Sequence, residues 1–382
     1  MKQWSLPVDD LLIDICFHFD RSAKRRKLFQ EFQEFANVEE FEILKHCQTR
    51  WLSLLRVIER VLHQYPALAA YFASHEDGEK PGRVKRVVDR LAAPTTKLTL
   101  LFLGFILPVL MDFNKLFQAD ETKVGALLPE MDRLLRKLMV KFVPLRLIRG
   151  QQDPRTVEFT LLDNQHPDDT IAIGMPARAY LAAEELDPTQ TAKFFREVRA
   201  FYTAVIGKML AKFPFDCEVL KDLVVMDLAK REDLTYAPLL RLAARFAPDV
   251  DQEALKDEFE DLQLMEDASI SFKVDGRPQR LDAIWGGVLS QKTALGVTRF
   301  PTLGRVMTAL LSLLHSNADC ERAFSMVRKV HTECRKSLCA DTITAFLQCK
   351  INFDINCCEF DVTPAMLRGA KHATAEYNKE HV

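Results

Sequence analysis

The chain has 382 residues, of which 48% are hydrophobic and 28% charged, and its formal net charge is −2. That length admits two or three domains and that composition belongs to a folded globular chain. Thirteen glycines exclude a glycine-rich fibrous or linker-like chain, and the charge balance excludes a polycation, so any nucleic-acid contact has to come from local basic faces. The nine cysteines are odd in number and scattered, which reads as free thiols in a reducing compartment and not as a disulfide framework. The start of the chain, Met1-Lys2-Gln3-Trp4, leads into an amphipathic segment and lacks a secretory apolar core.

Helical spacing of apolar residues dominates from the start. Leu11, Leu12, Ile15 and Phe19, then Leu28, Phe32 and Phe35, predict two helices, with Ser22 placed to cap the second. The residues around Glu42–Leu44, running up to Thr49-Arg50-Trp51, read as a short strand. Leu52 to Phe72 reads as one long helix kinked at Pro66. A polar loop follows at 74–82, and two helices divided near Pro94 occupy 83–117. Their apolar run Leu98–Met111 is shorter than the ~18 residues a membrane span needs and is interrupted by Pro108, so it reads as a buried core helix and no membrane partner is expected.

A further helix is expected over 121–143, with Leu127, Met131, Leu134, Leu135 and Leu138 on one face. Val157–Leu162 reads as a strand. Several helices then reach Phe246, with breaks near Pro188, Pro214 and Arg231, and another covers 251–264. Asp275-Gly276 marks a hairpin turn within 270–281. Trp285-Gly286-Gly287 reads as the start of a linking segment. Pro301 suits the first turn of a helix to Leu314, Asn317 suits the N-cap of the next, and 341–353 forms the last. The expected class is mainly α.

On the helix after Asn317, Ala318, Glu321, Arg322 and Ser325 share one face at i, i+3, i+4 and i+7. Glu321 near the start of that helix is favoured by the helix dipole. Taken alone, it reads as a local cap or ion-pair partner. The surrounding order is more specific. Trp285, then Phe300-Pro301-x-Leu303, an apolar helix, Ser316-x-Ala318-x-x-Glu321-Arg322-x-Phe324-Ser325, and Arg335-x-x-Leu338 with another apolar helix resemble the C-terminal region of hAT-superfamily transposases. Upstream, Thr49-Arg50-Trp51 resembles that family's Thr-Arg-Trp motif. The resemblance spans roughly residues 5 to 355, and the closest flavour is the animal group whose longer relatives carry BED zinc fingers.

The resemblance implies a helical insertion domain with the C-terminal part of an incomplete RNase H-like core. It divides the chain into a core remnant at 1–55, an insertion domain at 56–280, a dimerisation region at 281–356 and a tail at 357–382. In complete relatives two Asp and one Glu hold two divalent metals. Glu321 matches the Glu, and Arg50 and Trp51 match an Arg-Trp pair that contacts flanking DNA and stacks a flipped base. The Asp pair should precede the Thr-Arg-Trp motif, but only 48 residues stand there, and Asp9, Asp10 and Asp14 follow a helical pattern. Glu321 is therefore expected to be vestigial, with no catalytic activity and no resident metal.

Leu303, Leu310, Leu314, Phe324, Leu338, Phe346 and Leu347 are the expected dimerisation or packing residues. A homodimer or another protein partner is expected, with DNA as a candidate partner and the nucleus, or else the cytoplasm, as the location. Two alternatives stand beside this reading. One is a nuclease subunit that uses Mg²⁺ or Mn²⁺ on Glu321 with Asp ligands from another chain. The other is a DNA-binding transcriptional regulator using basic clusters at 24–27, 83–97, 133–149 and 328–336. Cys320, His331, Cys334 and Cys339 have no paired short spacing, so no zinc cluster is expected.

Overall fold

The structure, a computed structural model, describes residues 7–20, 22–44, 51–74, 82–118, 121–149, 151, 153–184, 186–352 and 359–380. The described chain is mainly helical and carries one two-stranded antiparallel sheet. It divides into two compact units, residues 1–315 and 316–382.

Among the described residues the first unit opens with ten α-helices: α1 (Val8–Asp20), α2 (Ala23–Phe35), α3 (Trp51–His63), α4 (Tyr65–Ser74), α5 (Arg83–Ala92), α6 (Pro94–Leu116), α7 (Leu127–Met139), α8 (Leu145–Arg149), α9 (Met175–Ala183) and α10 (Pro188–Lys212). Their apolar stripes close a core running in sequence from Val8 to Phe215. Ser22 caps α2 as expected, its Oγ accepting from the Arg25 amide at 3.2 Å. α6 is long and apolar enough to cross a membrane by length and composition, and Leu98, Leu100, Phe102, Leu103 and Ile106 on it are wholly buried in this core. Gly174 precedes α9 at φ +89°, and a Cβ there would stand 2.7 Å from the Phe105 side chain, so only glycine fits.

Three local expectations are corrected here. Val157–Leu162 forms no strand: Val157 and Phe159 are buried in the core, but the chain turns and enters a 3₁₀ turn at Leu162–Asn164. Alternating burial is present without a neighbouring strand to pair with. Residues 41–44 of the expected strand are irregular, residues 45–50 lie outside the described residues, and Trp51 opens α3, whose buried Leu54, Leu55, Ile58 and Val61 follow a helical repeat. The 52–72 stretch is two helices, broken at Gln64. The Gln64 side chain is buried, accepting from Gln33 Nε2 at 2.7 Å and donating to the Glu39 carbonyl at 2.7 Å, while Pro66 sits in the first turn of α4.

The rest of the first unit comprises α11 (Glu218–Asp222), α12 (Tyr236–Phe246), α13 (Gln252–Gln263), β1 (Lys273–Val274), β2 (Arg277–Pro278), α14 (Leu281–Leu289) and α15 (Pro301–Leu311). Asp275 and Gly276 both have positive φ and form the tight turn between β1 and β2, as a type I′ connection requires. A second core gathers Val124 with Leu223–Leu310, so it runs across position 280 without a break. Trp285 lies inside α14 and not in a link. It is fully buried, and its Nε1–H donates to the Met226 carbonyl at 3.0 Å. Buried Arg231 donates to the carbonyls of Leu228 and Met265 and to Asp267, fixing the loop after α13.

The second unit holds α16 (Ala318–Val330), α17 (Ala340–Asn352) and α18 (Pro364–Glu380). α16 and α17 pack against each other. α18 occupies the segment expected to be a tail.

Candidate self-association region

Two charged contacts from α13 hold the entry to α15. Phe300 and Pro301 begin that helix, and proline at its first position leaves one fewer amide to satisfy. The next two amides are satisfied from outside: Glu258 Oε1 accepts from Thr302 N at 3.0 Å, and Glu258 Oε2 accepts from Leu303 N at 2.7 Å. A carboxylate at a helix N-terminus is also favoured by the dipole. One turn along α13, Asp261 takes a two-pronged contact from Arg299 at 2.6 and 2.7 Å. The Arg299 guanidinium holds the Asp261 carboxyl below its usual range, against the opposing effect of burial.

The apolar face of α15 is thereby committed to its own unit. Leu303, Val306, Met307 and Leu310 are buried in the second core with Phe300 and Trp285. Leu314, just beyond α15, is exposed.

The second unit differs. Among its described residues no side chain is buried. Phe324 on α16 is 67% exposed and Phe346 on α17 is 49% exposed, with Ile351 also open to solvent. Val327, Ile343 and Leu347 are half-buried, as is Leu338 in the connection. Two helices thus pack on each other and leave aromatic side chains in water. Cys339 precedes α17, and its thiol lies 3.1 Å from Thr342 Oγ1. That contact pushes the thiol below its ordinary range.

Glu321 lies in the first turn of α16 and is exposed. Its amide donates to the Asn317 carbonyl at 2.9 Å. The Asn317 side chain makes no capping bond; Ser316 Oγ instead accepts from Ala318 N at 3.3 Å. Among the described residues no group of three His, Cys, Asp or Glu side chains is placed to hold a metal ion. Arg50 lies outside the described residues, as does the side chain of Trp51.

The N-terminal acids share α1. Asp14 is buried and faces three arginines of α5: Arg83 Nε at 3.1 Å, Arg86 Nη2 at 3.2 Å and Arg90 Nη1 at 3.8 Å. His18, one turn on, meets the Tyr71 hydroxyl at 3.0 Å within an aromatic cluster with Phe19 and Phe72. The i, i+3, i+7 spacing of the arginines is visible in the sequence, but their partner 72 positions before Arg86 is not. Of the other basic clusters, Arg133 and Arg136 pair with Glu130 and Asp132, while Lys24, Arg26 and Lys27 are exposed on α2.

Residues 295–351 match the family model described as the hAT family C-terminal dimerisation region. The match starts in the loop before α15 and ends within α17. No curated protein and no solved structure matches the chain.

Proposed function

We propose that this transposase-related chain acts by self-association through residues 295–351 and does not itself cut DNA. One observation carries the reading: residues 316–352, most of them inside the matched region, form a helical pair with no buried side chain among those described and with Phe324 and Phe346 exposed. A pair of short helices that fully buries no side chain gains little against its conformational entropy, and exposed apolar faces of this kind call for a partner. A second copy brings the same faces, as an isologous dimer requires.

A non-catalytic role is supported by Asp14, whose carboxylate is engaged by arginines, and by the solvent-facing position of Glu321. Magnesium or manganese belongs to the reading only where a second chain supplies the Asp ligands. The RNase H-like ancestry, DNA contact at Arg50 and Trp51, kinship with BED-finger proteins and a nuclear location belong to the same proposal and rest on the order of the sequence motifs.

Sedimentation and light scattering across a concentration series test the reading. The wild type should be a dimer, and Phe324→Asp with Phe346→Asp should shift it to a monomer of unchanged helicity. A wild type that stays monomeric at the highest attainable concentration would overturn the proposal.

A further inference from the structure

Between α14 and α15 the chain makes a small protruding hairpin. Lys292 and Thr298 form its bridge, Thr293 N donates to the Val297 carbonyl at 2.8 Å, and Gly296 turns the tip at φ +79°. Arg299 staples the base, its amide donating to the Gln291 carbonyl at 2.9 Å while its guanidinium holds Asp261. This firmly tied hairpin carries two apolar side chains outward: Leu295 is 90% exposed and Val297 is 62% exposed. Together the two side chains form a small apolar knob at the tip.

Beside the hairpin lies a shallow, open groove along α15. It is lined by Leu289, Phe300 and Arg305 and by the small residues Gly304, Thr308, Ala309 and Ser312. A Cβ at Gly304 would meet only Leu289, at 3.6 Å, so the surface at that point is open. Thr298 belongs to both features, as a bridge residue of the hairpin and a lining residue of the groove. An apolar knob and a small-residue groove therefore sit side by side in the first unit, and the chain's own knob does not fill its own groove.

We infer that the 292–298 hairpin of one copy seats Leu295 and Val297 in the α15 groove of a second copy and receives the same contact in return. This rests on the self-association reading above and assigns its first contact. The occupant is a second copy because the matched dimerisation region opens at Leu295 and contains both the hairpin tip and Thr298–Ser312. Adjacency of knob and groove also suits a two-fold axis passing between them, where each contact is made twice and the assembly closes as a dimer.

Two variants of exposed residues separate the features. Leu295→Lys places a cation against Arg305 of the other copy, and Thr308→Trp fills the groove. Each should weaken dimerisation by roughly 30-fold or more, the scale of a central hot spot, with helicity and melting of the monomer unchanged. Mixed together, the two variants should form a heterodimer more readily than either forms a homodimer, because the Thr308→Trp chain keeps an intact hairpin and the Leu295→Lys chain an intact groove. Unchanged dimerisation of both variants, with loss in Phe324→Asp plus Phe346→Asp, would overturn the hairpin contact and leave self-association standing. A wild type that never dimerises would overturn both.

Discussion

Glu258 on α13 accepts a 2.7 Å hydrogen bond from the backbone amide of Leu303, so a buried carboxylate of one helix performs the N-capping of another. With Asp261 holding Arg299 a turn away, this arrangement sets where α15 begins and which of its faces enters the second core.

Glu258→Ala should lower stability by about 1–3 kcal/mol, because two amides at the start of α15 lose a charged acceptor and one of them is buried. Glu258→Gln keeps an acceptor oxygen but loses the charge at the helix dipole, and should cost less. Urea unfolding of the three proteins measures both. Equal losses for Ala and Gln would show that the charge, and not the acceptor oxygen or the packing, carries the effect.

The Asp261–Arg299 pair implies an acid limb in stability. Arg299 depresses the folded-state pKa of Asp261 below 3.8, so the unfolded chain takes up the proton first as the pH falls. The contribution is present in full above the unfolded value and is lost as the pH drops below about 4 and through the folded value. Asp153 beside Arg155 and Asp282 beside Arg280 carry shifts of the same sign. Asp261→Asn should therefore flatten part of the acid limb in a series of unfolding midpoints, not all of it. An Asn variant that follows the wild-type acid profile would refute this assignment.

Asp14 joins α1 to α5 through arginines that are themselves partly exposed, so solvent screens part of the attraction. Asp14→Asn should cost about 1–2 kcal/mol, less than a wholly buried ion pair would. Raising the salt concentration should shrink the difference between the two proteins. A difference that is unaffected by salt would point to the hydrogen-bond geometry instead of charge.

Legibility followed the range of the interactions. The helices at 83–92, 94–116, 252–263 and 301–311 were readable because their apolar repeats, prolines and caps are local, and so was the turn at Asp275-Gly276. The strand expected at 157–162 failed for want of a neighbour, which no local pattern reveals. The glycines of Trp285-Gly286-Gly287 suggest a break, but burial of Trp285 and its bond to Met226 keep α14 intact. In the candidate site, the sequence placed Phe324 and Phe346 on helices of a region resembling a dimerisation module. It did not show that Leu303 and Leu310 are spent on an internal core while Phe324 and Phe346 face solvent.

The sequence by itself thus determined the helical class, most helix limits and the dimerisation-like order of motifs, all consequences of residue spacing along one chain. Only the tertiary structure decided which apolar faces are already covered and which are left for a partner. It also decided that Glu258 and Asp14 serve helices 44 and 72 positions away, at Thr302 and Arg86. Burial and charge pairing depend on what the fold brings close, and that distance is not written in sequence separation.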